Sequence, residues 1–103
     1  AGADLAHVGP RFGDARPLDA AGRAALRRTD ATSIDLALAG DAAGFFRQVA
    51  ADLDVRRVCG LAPIYTMLRV LDEGRAGELL NYEQCVDPDE GSIVSHASLA
   101  FWR

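Results

Sequence analysis

The first candidate for chemistry in this chain is a histidine close to its start. His7 follows a short apolar lead-in and precedes a loop rich in glycine and proline, which holds such a side chain in place. Its imidazole could ligate a metal or exchange a proton near neutral pH. Asp4 and Arg11 lie nearby in sequence and could orient the ring or bind an anionic substrate group. The alternative is a purely structural histidine.

The second candidate is a thiol, Cys59, placed directly before a predicted helix. The positive end of a helix dipole favours the thiolate form of a cysteine at this position. Thiolate is also the form that binds soft or borderline metals. The alternative is a buried cysteine that packs as a small hydrophobic residue.

Cys85 and His96 are the remaining candidates. We expect Cys85 to pack within a strand and His96 to pair across a hairpin. Together with His7 and Cys59 they have the ligand types of a zinc site, but nothing in their spacing supports one.

The elements that must position these residues begin with the end of a strand over residues 1–6 and a functional loop over 7–17. Residues 18 to about 39 are rich in alanine and favour a helix. The polar residues between Thr29 and Ser33 could break this helix into two pieces. Helices followed by a hairpin then predict an α/β or α+β fold.

Two further helices and two strands are predicted from periodicity. Asp41 is the expected N-cap of a helix with the apolar face Phe46, Val49, Ala50 and Leu53. The next helix has Pro63 in its first turn and a stop at Gly74. Its apolar face is Leu61, Ile64, Tyr65, Leu68 and Leu71.

The end of the chain is predicted to form two strands, over residues 78–86 and 93–102, with a turn over 87–92 between them. One face of the second strand consists of Ile93, Ser95, Ala97, Leu99 and Phe101.

The composition excludes several classes of function. The 103 residues are half hydrophobic and a quarter charged, which is typical of one globular domain. The net charge of −4 argues against nucleic acid, and no apolar run approaches the ~20 residues of a membrane helix. All eleven basic residues are arginine, which excludes lysine chemistry within this chain. Two cysteines without disulfide or zinc-ribbon spacing predict reduced thiols and a cytoplasmic location.

Two motifs resemble the Memo family, known in prokaryotes as AmmeMemoRadiSam system protein B. The family segment Asp-x-x-His-x-Gly-x-Arg-Phe is matched by Asp4, His7, Gly9, Arg11 and Phe12, with Val8 a mild departure after the histidine. The family segment Cys-Gly-x-x-Pro-Ile is matched by Cys59, Gly60, Pro63 and Ile64. Residues 80–84 and 91–97 fit the same family in the same order.

The resemblance implies an α/β fold with a mixed sheet flanked by helices, as in class III extradiol dioxygenases. It covers all of this chain but only the C-terminal third of the family's pattern. We therefore expect residues 1–103 to be the C-terminal part of a single Memo-like domain, and so a fragment.

The resemblance also implies a metal site with iron or copper. The family's cysteine joins two histidines from earlier in the chain around the metal, so Cys59 becomes a ligand whose partners lie upstream. His7 takes the cleft position of a general acid or base and is a second candidate metal ligand, with Asp4 and Arg11 supporting it. We therefore expect His7 and Cys59 to lie close together.

The implied function is a metal-dependent oxidoreductase related to extradiol dioxygenases, acting with radical SAM and AMMECR-type partners. A thiolate ligand departs from the two-histidine, one-carboxylate iron triad, which argues against ring opening itself. The alternative is a non-catalytic module that uses the same cleft to bind a small molecule or peptide or to handle metal.

Overall fold

The computed structural model describes residues 1–71 and 75–102. It contains the strand β1 (His7–Val8), a 3-10 turn (Pro10–Phe12), and the helices α1 (Ala20–Leu38), α2 (Ala42–Ala50) and α3 (Leu61–Val70). The strands β2 (Ala76–Val86) and β3 (Ile93–Trp102) follow. The described strands form one antiparallel sheet in the order β1-β3-β2. Three helices packed with a sheet confirm the predicted α/β class.

The first strand lies slightly later than predicted. Residues 1–6 are not assigned to a strand, and β1 begins at His7. Leu5 and Ala6 still bond to Ser95 of β3, because the Leu5 amide donates to the Ser95 carbonyl and the Ser95 amide donates to the Ala6 carbonyl. His7 is therefore part of the sheet, where hydrogen bonds on both sides fix its backbone.

Helix α1 is continuous through the polar residues that predicted a break. Its N-terminus is capped by Asp19, which accepts a hydrogen bond from the amide of Gly22. The hydroxyls of Thr29 and Thr32 donate to carbonyls four residues earlier, so they are satisfied without leaving the helix. The prediction of two pieces is wrong because Asp30 is held by partners from elsewhere in the fold.

Helix α2 has the predicted N-cap but a different buried face. The Asp41 carboxylate accepts from the amide of Gly44, as expected. However, Phe46 is 48% exposed and Leu53 is 92% exposed, whereas Phe45 and Val49 are buried. The helix ends at Ala50, so Leu53 lies beyond it and no longer follows the helical period. The adjacent aromatic residues made the face ambiguous by one position, about 100° of rotation.

Helix α3 and the hairpin follow the predictions closely. Leu68 is buried on α3, and Leu61, Ile64 and Tyr65 of its predicted face pack against the core. Leu71, the last residue of the predicted face, lies beyond the helix. The helix ends at Val70, earlier than the predicted stop at Gly74, which itself lies outside the described residues. On β3, Ile93 and Ser95 are buried, and the other members of that face, Ala97, Leu99 and Phe101, pack against the helices. The opposite face of the sheet points away from the helices.

Among the described residues, no helix has the length and apolar character needed to cross a bilayer.

Candidate functional site

His7 is held by hydrogen bonds from both sides of β1. Its amide donates to the Arg56 carbonyl at 2.7 Å, which attaches the turn before α3 to this strand. Its ring atom Nδ1 lies 3.1 Å from the Arg57 carbonyl and 3.3 Å from the Leu5 carbonyl. Carbonyl oxygens only accept, so these contacts assign the proton of the neutral ring to Nδ1. Nε2 then carries the lone pair that can bind a metal or accept a proton.

A salt bridge between Arg57 and Asp14 joins the loop that follows His7 to the turn before α3. The guanidinium contacts both carboxylate oxygens of Asp14, at 2.7 and 3.1 Å, and donates to the His7 carbonyl at 3.1 Å. The Asp14 carboxylate also accepts from the amide of Gly9 at 2.7 Å. The Arg57 hydrogen bonds, followed by the Gly9 amide, hold the pKa of Asp14 below its usual range. Asp14 therefore stays charged and holds the loop over 9–14 against the turn that carries Arg57.

Cys59 lies where the chain passes close to Asp4. The amide of Gly60 donates to the Asp4 carbonyl at 3.0 Å, and the Cys59 sulfur lies 3.5 Å from the same oxygen. A Cβ at Gly60 would lie 2.6 Å from that carbonyl, so glycine is required for this close approach. The thiol itself is exposed, just ahead of α3. The alternative of a buried cysteine that packs as a small hydrophobic residue is therefore wrong here.

The structure brings together three of the predicted site residues. One ligand atom each from Asp4, His7 and Cys59 lie within 4.8 Å of one another. The predicted convergence of the histidine and the thiol is confirmed. The convergence arises because β1 and the turn over 56–60 are joined by backbone hydrogen bonds at both ends.

Arg11 is placed away from this group. Its guanidinium lies 2.9 Å from the Asp87 carboxylate at the turn between β2 and β3, and its side chain is 59% exposed. Its neighbour Phe12 does contact the histidine, with the rings of Phe12 and His7 edge to face at 5.2 Å. A role for Arg11 toward a substrate anion stays a prediction.

A buried polar network behind the site was missed by sequence reasoning. The Arg56 guanidinium bonds to the Asp30 carboxylate at 2.6 Å, and both side chains are almost fully buried. The Tyr82 hydroxyl donates to the other Asp30 oxygen at 2.7 Å, and burial together with this bond raises the pKa of Tyr82 to about 12. Ser33 and Gln48 complete the partners of Arg56. The network fixes the residue whose carbonyl holds His7. Its one sequence signal was the run of polar residues around Asp30 in α1, and that signal indicated a helix break instead.

The four-residue zinc set proposed from ligand types does not form. Cys85 and His96 lie in a second group with Glu83, and no three-ligand group among the described residues mixes the two pairs. His96 pairs with Glu83 across the hairpin, as predicted. Cys85 is exposed, so the predicted packing role is wrong: its side chain lies on the face of the sheet that the helices do not cover.

Comparison with known proteins gives one match. No curated protein and no solved structure matches this chain significantly. The model of the Memo-like protein family matches residues 1–100, which is nearly the whole chain and includes both motifs around Asp4, His7 and Cys59. This chain therefore belongs to the Memo-like protein family.

Proposed function

We propose that Cys59, His7 and Asp4 contribute to an iron or copper site in a dioxygenase-like oxidoreductase. The observation that carries this proposal is the convergence of one donor atom from each residue within 4.8 Å. The donor set fits such a metal, because thiolate and imidazole both suit copper and iron. The hydrogen bonds of His7 Nδ1 to backbone carbonyls are of the kind that orient metal-ligating histidines. Further ligands come from histidines upstream of Ala1, as the family resemblance implies.

The chain's own residues have distinct roles in this proposal. Cys59 is the soft ligand, exposed and free of any disulfide. His7 keeps its Nδ1 proton on the carbonyls of Leu5 and Arg57, so Nε2 carries the lone pair that would bind the metal. Asp4 places a carboxylate beside both groups. When bound, the metal would supply one-electron and oxygen chemistry.

The test is the metal content of the full-length protein that carries this chain. Iron and copper are measured after purification in the unmodified protein and in the variants Cys59→Ser and His7→Ala. We expect both variants to lose most of the metal. Ala62→Ser is the matched control, because it adds the same hydroxyl at an exposed position in the first turn of α3. Retention of metal in Cys59→Ser at the level of this control would contradict the site.

Oxygen consumption distinguishes an oxidoreductase from a binding or metal-handling module. Catechols are added to the metal-loaded protein, and oxygen consumption that requires the bound metal supports an oxidoreductase. Bound metal without any oxygen consumption would instead favour the binding or metal-handling module. Action together with radical SAM and AMMECR-type proteins stays a prediction from the family resemblance.

A further inference from the structure

The β2–β3 hairpin carries a second group of metal-ligand side chains. Glu83 and Cys85 are two residues apart on β2, so their side chains lie on the same face of the sheet. His96 on β3 is the direct cross-strand partner of Glu83 and shares that face. One ligand atom from each of the three residues lies within 4.8 Å of the others. Three ligands of different type therefore lie close together on one face of the hairpin.

This group is separate from the site around Cys59. Val94 of β3 pairs with His7 on one side and with Cys85 on the other, so both groups occupy the same face of the sheet with Val94 between them. No three-ligand group in the described part of the chain combines members of both. Cys85 lies outside the segments 80–84 and 91–97 that fit the family.

We propose that Glu83, Cys85 and His96 form a zinc-binding site on the outer face of the hairpin. The His96 ring lies between the other two side chains, with Nδ1 3.9 Å from the Cys85 sulfur and Nε2 3.9 Å from a Glu83 carboxylate oxygen. Ligands bound tetrahedrally at about 2.0–2.3 Å from one zinc ion lie about 3.5 Å apart. Small side-chain rotations bring one ring nitrogen, the sulfur and the carboxylate to that spacing. The side chains of His96 and Glu83 are 35% and 59% exposed, which leaves room for the movement.

The ligand types select zinc over the hard cations. Calcium and magnesium take oxygen ligands and do not favour a thiol and an imidazole. Zinc accepts sulfur, nitrogen and carboxylate oxygen together, and three protein ligands leave its fourth position for water or a small anion. A simple charge pair between His96 and Glu83 would account for those two residues but not for the thiol beside them.

The experiment is a titration of Zn²⁺ alone into the full-length protein with Cys59→Ser as the background, which removes the thiol of the other site. We expect this background to retain one zinc site. Adding Cys85→Ser or His96→Ala should weaken it by about tenfold or more, since even outer-sphere losses at metal sites reach that size. A parallel titration with Co²⁺ should give a sulfur-to-cobalt charge-transfer band that Cys85→Ser abolishes.

Asp89→Asn is the control for Glu83→Gln, because Asp89 is an exposed carboxylate at the turn of the same hairpin. We expect the Glu83 variant to weaken zinc binding and the Asp89 variant to leave it unchanged. The proposal is overturned if Cys85→Ser and His96→Ala bind zinc as the background does, or if the background binds none. Neither result bears on the iron or copper proposal, which depends on Cys59 and His7.

Discussion

His7 and Arg57 are joined by two hydrogen bonds in opposite directions. The Arg57 carbonyl lies 3.1 Å from Nδ1 of His7, and the Arg57 guanidinium donates to the His7 carbonyl, also at 3.1 Å. One residue thus fixes both the ring and the backbone of the histidine. The same guanidinium holds Asp14, so the orientation of the ring is coupled to the loop that surrounds it.

This relationship predicts that Arg57→Ala weakens metal binding at the site around Cys59 by about tenfold. Alanine keeps the carbonyl that holds Nδ1 but removes the guanidinium that holds the His7 backbone and Asp14. Global stability should change little, because the ion pair with Asp14 is partly exposed. Copper titration and chemical denaturation measure the two effects. Arg16→Ala is the control, because it removes the charge of another exposed arginine, in the loop over 7–17. An equal loss of affinity in both variants would show that only the overall charge matters.

Asp30→Ala should destabilise the fold by about 3–5 kcal/mol, because it leaves the buried Arg56 guanidinium without its carboxylate. The Tyr82 hydroxyl loses its acceptor in the same variant. Urea denaturation measures the change in the free energy of unfolding. Asp35→Asn, on an exposed position of the same helix, should have almost no effect. A small change in the Asp30 variant would mean that water replaces the carboxylate.

Leu68→Ala should cost about 2–5 kcal/mol, because the side chain is buried in the main core cluster and its removal leaves a cavity. Val70→Ala is the control on the same helix, since Val70 is 77% exposed. Both values come from denaturant unfolding followed by circular dichroism. Similar costs for the two variants would place α3 in a different orientation from the one described.

Tyr82 should remain protonated well above the ordinary pKa of tyrosine. Burial and the bond to Asp30 raise the pKa of Tyr82 from 10.0 to about 12 in the folded protein. Since the unfolded chain ionises near pH 10, the stabilisation is complete below that pH and is lost as the pH rises toward 12. The difference in ultraviolet titration between the unmodified protein and Tyr82→Phe isolates this hydroxyl. Ionisation of the native protein near pH 10 would show that the hydroxyl is solvated.

The sequence by itself determined most local structure. The cap at Asp41, the apolar face of α3 and the alternating pattern of β3 are short-range signals, because each depends on residues within a few positions of one another. The face of α2 was mistaken because Phe45 and Phe46 are adjacent, and only the position of the core distinguishes them.

The candidate site was predictable in its residue types and only partly in its geometry. The motifs around His7 and Cys59 indicated that the two segments belong together, and the structure confirms their convergence. The tertiary structure alone decided which groups hold them. Arg56 meets Asp30 across 26 residues and Tyr82 meets Asp30 across 52, distances in sequence at which no periodicity carries information. In the same way, the register of β2 against β3 decided that His96 lies beside Glu83 and Cys85. That register depends on the alignment of the two complete strands and not on the residues next to His96 in sequence.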